Sequence, residues 1–218
     1  MMTRRATGLG MIASGAVAAM PDTILAAELA PIDLPPPARQ GGKPLMEALL
    51  LRRSIRSYAA TPLPPQLLSD LLWAANGINR PTGDRTAPYW RHIMVTDIYA
   101  AMADGVWLYE PKSHSLQPYL RGDIRAATGL QDFVGTAPLD LVYVAHGDRM
   151  GDIRAEERRL YASVDVGFIG QNVYLFCASA GLATVFRGAV PYDDLTRKLQ
   201  LPAEQFVTFA QTVGFPGE

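Results

Sequence analysis

The sequence predicts an α+β fold, in which helices and an antiparallel-rich sheet share one domain. Between residues 92 and 120, short apolar segments are separated by turn signals, a pattern typical of a strand meander. Residues 152–180 carry nearly all their charges in their first third and are then almost wholly apolar, which predicts a long buried helix. The ending QFVTFAQTVGF is rich in β-branched and aromatic residues and predicts a closing strand. This mixture favours α+β over a doubly wound parallel sheet.

The composition excludes several classes of protein. The 218 residues are 49% hydrophobic, enough for one domain with a sizeable core. Lysine and arginine number 20 against 21 aspartates and glutamates, so the net charge of -1 gives no general attraction to nucleic acid. His92, His114 and His146 lack the spacing of metal ligands, and the single cysteine, Cys177, lies in an apolar run. We therefore expect neither a nucleic-acid partner nor a metal site.

Residues 1–30 are predicted to be an export signal. The start MMTRRATGLGMIASGAVAAM combines Arg4-Arg5 with an Ala/Gly-rich stretch free of acids, and Ala18 and Ala27 offer cleavage positions. The pattern resembles a twin-arginine signal and predicts a periplasmic or otherwise exported protein. The alternative is a disordered basic terminus on a cytoplasmic protein. A stable membrane span is not expected, because a span needs about 20 strongly apolar residues.

Residues 31–43 are predicted to be a linker, and residues 44–218 the folded domain. Five prolines and two adjacent glycines within PIDLPPPARQGGKP favour extended, unpacked chain. From Pro44 to about Arg53, leucines recur at helical spacing and predict a short helix that delivers RRSIRSY at its end.

The remaining elements follow in chain order. A second helix is predicted to open at Thr61-Pro62 and to close at Asn76-Gly77, before an irregular loop, INRPTGDRTAPYWR. After the meander, LDLVYVAH over residues 139–146 reads as a strand. The long helix ends at Gly181, GLATVFRGAV runs into a strand, and DDLTRKL forms a short helix.

The segment Arg52-Arg53-Ser54-Ile55-Arg56 is the sharpest local feature. On a helix, Arg52 and Arg56 share one face, so three cations and a hydroxyl converge within about one turn. Guanidinium groups bind phosphate oxygens in bidentate fashion, and a serine hydroxyl donates one more hydrogen bond, which suits a phosphate monoester. A solvated basic helix end, stabilised by the helix macrodipole, is the alternative interpretation.

Six motifs in order resemble the nitroreductase family over about residues 44–216: RRSIRSY, LLSDLLWAANGINRP, GDRTAP, MADGVWLYEPKSHSL, GFIGQNVYLFCASAGLATVFRG and QTVGFP. The resemblance implies an α+β homodimer with FMN at the subunit interface and the long apolar helix buried between subunits. A helix that is apolar all round is hard to bury in a domain of this size unless a partner covers part of it.

The family pattern also implies roles for particular residues. Arg52, Ser54 and Arg56 are expected to hold the FMN phosphate, with Arg53 beside the ribityl or pyrimidine part. The backbone of Val185, Phe186, Arg187 and Gly188 is expected to pass flavin N5, where an amide donor stabilises reduced flavin. Gly188 permits that close approach.

This chain departs from the family pattern at two places. Relatives commonly carry a serine after the proline and an asparagine three residues further on, whereas here Pro88 is followed by Tyr89, Trp90, Arg91 and His92. We expect Pro88, Tyr89 and His92 to face the flavin, and Tyr89 and Trp90 to line the pocket for a flat substrate. Many relatives also place a lysine or arginine after the last strand, whereas this chain ends Gly217-Glu218.

The resemblance implies an FMN-dependent oxidoreductase as the leading hypothesis. Hydride would pass from NADH, NADPH or another donor through flavin N5 to a nitroaromatic or quinone. A second hypothesis is an FMN dehydrogenase resembling the azoline-oxidising branch of the family, with Tyr89, His92 or Tyr109 as candidate bases. The third is a non-catalytic protein that binds flavin or another flat ligand.

Overall fold

The computed structural model of the chain describes residues 29–218. The predicted export signal over residues 1–30 lies almost wholly outside the described residues, so it stays a prediction. The predicted α+β class is confirmed: over residues 29–218, seven strands form one antiparallel sheet in the order β1-β4-β3-β2-β5-β7-β6. The strands are β1 Ile32–Asp33, β2 Thr96–Met102, β3 Gly105–Glu110, β4 Ser115–Arg121, β5 Leu139–His146, β6 Ala183–Arg187 and β7 Gln205–Gly214.

Four α-helices accompany the sheet in the described part of the chain: α1 Leu45–Leu51, α2 Pro65–Asn76, α3 Ala155–Ala180 and α4 Tyr192–Lys198. Pro65 occupies the first turn of α2, where the absent N–H is not needed. The long helix α3 ends at Gly181, whose φ of 73° lies in the left-handed region that favours glycine.

The sheet is covered on both faces, which explains why β5 is apolar throughout. Leu139, Leu141 and Tyr143 join the core shared with α2 and α3. Val142 and Val144 point to the opposite core, which includes Leu195 of α4. Successive side chains of a strand alternate between faces, so a strand covered on both sides becomes a continuous apolar run.

The prediction of an unpacked linker over residues 31–43 is wrong. Strand β1 pairs with β4 at the edge of the sheet, and Leu34 lies in the main core. Ser69 donates to the Pro35 carbonyl, and the Ala38 N–H donates to Asp70 at 2.7 Å. Prolines lack an N–H donor but keep their carbonyl acceptors, and the Pro35 carbonyl accepts from Ser69 of α2. The segment lies at the edge of the sheet, where a missing N–H is tolerated.

Within the single chain, helix α3 is buried on one side only; the predicted burial between subunits stays a prediction. Val166, Ile169 and Val173 face the core, whereas Leu160, Val164 and Phe168 are 58%, 46% and 46% exposed. The exposed side chains recur at helical spacing and form an apolar stripe on the outer face. None of the helices within residues 29–218 combines the length and apolarity that crossing a membrane requires.

Candidate flavin site

The arginine-rich segment leaves the helix before its charges begin. Helix α1 ends at Leu51, with the Arg52 N–H donating to the Ala48 carbonyl at 2.9 Å. The prediction that Arg52 and Arg56 share a helix face is therefore wrong. The physical reason is a tertiary hydrogen bond: the Ile55 N–H donates to the Thr184 carbonyl at 3.0 Å, which draws the segment alongside β6.

The cations of this segment are available for a ligand. Arg53, Ser54 and Arg56 are exposed and Arg52 is half-buried. Within residues 29–218, none of the three arginines forms an ion pair with a carboxylate. The Arg52 guanidinium carbon lies 5.2 Å from the centre of the Tyr174 ring, a cation–π contact that leaves its N–H groups free to donate.

The outer edge of β6 runs beside these cations. Arg187 pairs with Ala210 of β7. The backbone groups of Thr184 and Phe186 point away from β7, to the outer side of β6. On that outer side Thr184 accepts from Ile55, and the Phe186 N–H donates to the Tyr174 hydroxyl at 2.9 Å. Gly188 is next on this edge. A Cβ added there would meet no atom closer than Phe209 at 3.6 Å, so packing within the chain does not require glycine.

Arg187 itself is turned away from this surface. Its guanidinium donates to Asp140 at 2.8 Å and to the Thr128 carbonyl at 2.9 Å, both buried. Of the residues predicted to pass flavin N5, Arg187 therefore offers no side chain to this surface.

The loop of residues 89–92 packs on α3 through Trp90. The backbone N–H of Trp90 donates to the Asp165 carboxylate at 3.0 Å. The Trp90 indole stacks on the Tyr161 ring with centroids 5.6 Å apart, and the Arg91 guanidinium lies over the indole. Arg91 and His92 adopt φ of 48° and 56°, two consecutive left-handed residues that are not glycine. Such backbone costs about 1–3 kcal/mol per residue and persists only where surrounding contacts hold it.

Asp84 organises the other side of the loop. It accepts hydrogen bonds from Thr82 and Tyr89, both at 2.6 Å, and these bonds lower its pKa to about 2. His92 lies 3.7 Å from the same carboxylate and is mostly exposed. Because the Tyr89 hydroxyl is committed to Asp84, it is not a free donor toward a flavin in this conformation.

Other sequence-derived candidates lie elsewhere. The Tyr109 hydroxyl is buried against His114 at 3.0 Å, so the structure excludes Tyr109 as a solvent-accessible base. The end of the chain returns to the arginine segment, since the Gly217 N–H donates to the Ser57 carbonyl at 3.0 Å. Glu218 follows Gly217 in this segment. Among residues 29–218, no cluster of three or more His, Cys, Asp and Glu side chains is arranged as a metal site.

Two functional candidates escaped the sequence analysis: Tyr174, which connects Ser54 with β6, and Asp165, which anchors Trp90. Both had a signal. Asp165 is the one acid in residues 158–180, and Tyr174 places a hydroxyl in an otherwise apolar stretch. Buried or half-buried polar groups inside apolar helices need partners, and those partners are often functional.

One chain brings together only part of the predicted site. The arginine segment and β6 meet at Tyr174, whereas the Tyr89–His92 loop meets α3 at Tyr161 and Asp165. Nine residues separate Asp165 from Tyr174, roughly 13 Å along the helix axis at ~1.5 Å per residue. A cavity of about 580 Å³ between residues 38–42, α2 and α3 contains none of the predicted flavin residues.

Comparison with known proteins identifies one family that matches most of the chain. The sequence model of the nitroreductase family matches residues 49–215. A nitroreductase-like protein of Methanocaldococcus jannaschii is 32% identical over 180 residues, which cover 78% of this chain and 90% of that protein.

Solved structures give the same result. A crystal structure of a nitroreductase-like protein from Ralstonia eutropha has a TM-score of 0.82 at 42% identity, covering 86% of this chain and 90% of that one. The NADPH:FMN oxidoreductase of Vibrio harveyi, solved with NAD+, has a TM-score of 0.60 at 22% identity, covering 80% and 69%. At that identity the second likeness shows the fold alone.

Proposed function

Because the chain belongs to the nitroreductase family of flavin-dependent oxidoreductases, we propose that it uses FMN to pass hydride between a nicotinamide donor and an electron-poor acceptor. Nitroaromatics and quinones are the acceptor classes. The observation that carries the proposal is that arginines without an ion pair in the described part of the chain, a serine hydroxyl and the outer edge of β6 converge on one surface. When bound, FMN supplies the atom that accepts and donates hydride, its N5.

The residues of this surface fit a phosphorylated flavin. Arg52 and Arg56 supply cations that form no ion pair with a carboxylate of residues 29–218, and Ser54 supplies a hydroxyl. Guanidinium groups matched to phosphate oxygens form strong charge-assisted bonds, which would fix one end of the cofactor. At the other end, Gly188 directly follows β6, and the absence of a side chain leaves room for a ring to approach its backbone.

The Tyr89–His92 loop is proposed to bound the acceptor space. Tyr161 and the Arg91 guanidinium hold the Trp90 indole in place, and the part of the indole that they leave uncovered would form a wall of this space. The mostly exposed imidazole of His92 lies 3.7 Å from the Asp84 carboxylate, in the same loop.

A homodimer would complete the site. An apolar stripe is exposed on α3, formed by Leu160, Val164 and Phe168, and a second copy of the chain would bury it. In a two-fold symmetric contact, the same patch is used on both copies. If two α3 helices cross antiparallel at Phe168, Tyr174 lies level with position 162 of the second copy, one residue from Tyr161. One copy's aromatic loop would then adjoin the other copy's arginine segment, which the single chain keeps apart.

The test is titration of FMN and riboflavin into the full-length protein, followed by anaerobic addition of NADH or NADPH and an acceptor. Replacing Arg56 by Gln removes one charge-assisted contact, worth about 1.5–3 kcal/mol, and should weaken FMN roughly 10- to 100-fold with little effect on riboflavin. Arg39→Gln, an exposed arginine over Trp73, is the matched control. Failure to bind FMN would refute the proposal, and tight binding without turnover would favour the non-catalytic hypothesis.

We also propose that the protein is exported, on the strength of the Arg4-Arg5 pair and the acid-free stretch that follows. Replacing both arginines with lysine should retain the protein in the cytoplasm, as measured by cell fractionation. Periplasmic recovery that is unchanged in this variant would contradict twin-arginine export.

A further inference from the structure

One hydroxyl group connects the two ends of the surface described above. The Phe186 N–H donates to the Tyr174 oxygen at 2.9 Å, and Ser54 Oγ lies 2.7 Å from that oxygen. An amide can only donate, so the tyrosine accepts from β6 and its own proton is available to Ser54. The Ser54 proton is then free for a further acceptor, such as a phosphate oxygen.

We propose that Tyr174 is a positioning residue that couples the phosphate end of the flavin site to its N5 end. Through its hydroxyl it orients Ser54, and through the same atom it holds the Phe186 peptide at the β6 edge, two residues before Gly188. This inference rests on the proposed use of FMN and adds a residue to which no role had been assigned from the sequence.

The surrounding contacts let this role be separated from packing. The Tyr174 ring carries the Arg52 guanidinium, and Ile55 is tied to Thr184 by a backbone hydrogen bond that does not involve the tyrosine. Tyr174→Phe keeps the ring, the cation–π contact and that backbone bond. It removes only the oxygen, which leaves the Phe186 N–H without its partner and Ser54 free to rotate.

The two consequences have different signatures. Loss of Ser54 orientation affects only a ligand with a phosphate, so it weakens FMN but not riboflavin. Loosening of the Phe186 peptide affects the strand that would pass N5, so it alters both flavins and the potential of the bound cofactor. A backbone donor near N5 stabilises the reduced flavin. If the loosened strand no longer holds that donor in place, the reduced flavin is less stable and the midpoint potential becomes more negative.

The experiment compares full-length wild type, Tyr174→Phe, Ser54→Ala and the double variant, each titrated with FMN and with riboflavin. We expect Tyr174→Phe to weaken FMN about 10-fold and riboflavin about 3-fold, the size of losing one or two modest hydrogen bonds. When Tyr174→Phe is added to Ser54→Ala, it should cause no further loss of affinity that is specific to FMN, because the Tyr174 and Ser54 hydroxyls act together. The midpoint potential of bound FMN should become more negative. Tyr119→Phe, which loses a hydroxyl bonded to the Leu199 carbonyl, is the matched control.

The possible failures are distinguishable. If wild type binds no FMN, the proposed function fails and the inference with it. If wild type binds FMN but Tyr174→Phe matches it in both affinities and in potential, only the inference fails. An equal loss for FMN and riboflavin with an unchanged potential, accompanied by a lower melting temperature, would reduce Tyr174 to a packing residue and also overturn the inference.

Discussion

Asp140 and Arg187 form an ion pair across the sheet, with Oδ1 and Nη2 2.8 Å apart and neither side chain more than 1% exposed. The pair links β5 to β6, although β7 lies between them. Arg187 also donates to Thr212 and to Thr128. The strand that precedes Gly188 is therefore fixed from inside the domain, while its outer edge is held by Ile55 and Tyr174.

Asp140→Asn should destabilise the protein by about 3 kcal/mol, because it leaves a buried guanidinium without its counter-charge. Chemical denaturation monitored by circular dichroism measures the change. Asp132→Asn, at an exposed position, is the control and should stay within about 0.5 kcal/mol of wild type. Equal stability of Asp140→Asn and wild type would mean that the pair does not hold β6.

Gly188→Ala should preserve folding and lose flavin affinity. The added methyl meets Phe209 at an ordinary 3.6 Å, so stability should change by less than about 1 kcal/mol. FMN affinity should fall roughly 10-fold if a ring must approach that backbone closely. Gly170→Ala provides the contrast: its methyl would lie 2.5 Å from the Phe186 ring and should cost about 1–3 kcal/mol. Unchanged FMN affinity in Gly188→Ala would place the flavin elsewhere.

Asp165→Ala should release the strained loop. Burial raises the pKa of Asp165, whereas the hydrogen bond that its carboxylate accepts from the Trp90 backbone N–H favours the charged form. Without that acceptor, the left-handed backbone at Arg91 and His92 loses an anchor, and trypsin should cleave after Arg91 several-fold faster. Peptide mass spectrometry over time gives the rate. Asp165→Asn keeps an acceptor oxygen and should restore slow cleavage. If the alanine variant is cleaved no faster, the hydrogen bond does not anchor the loop.

Phe168→Glu should convert a dimer into monomers. The substitution puts a charge on the exposed apolar stripe at the proposed crossing point of two α3 helices, where a two-fold contact would bury it twice. Sedimentation analysis measures the mass. Ala203→Glu adds the same charge at an exposed site away from the stripe and should leave the mass unchanged. A Phe168→Glu protein with the mass of a wild-type dimer would exclude this face as the interface.

Cys177 should be unreactive in the folded protein. It is fully buried, and burial raises the pKa of its thiol, so the reactive thiolate is scarce. We expect a disulfide reagent to label it at least about 100-fold more slowly in buffer than in denaturant. Thr136→Cys adds an exposed thiol as a positive control. Rapid labelling of native wild type would reveal local opening of α3.

Much of the fold could be predicted because the signals are local. Strand β5 has the bounds that its apolar run predicted, and Gly181 ends α3 as expected. The proline-rich segment before residue 44 was predicted wrongly for a physical reason. Composition reports the conformational preference of the isolated chain, whereas α2 and β4 supply hydrogen-bond partners that exist only after folding.

The candidate site divides along the same line. Residue type and order determined which cations, hydroxyl and glycine are available, and motif order determined the family. Only the tertiary structure decided that Arg52 leaves the helix, that the Arg187 side chain turns inward, and that Tyr174 joins Ser54 to β6. Each of these depends on contacts between residues distant in sequence, such as the 120 positions that separate Ser54 from Tyr174, and no local pattern encodes such a contact.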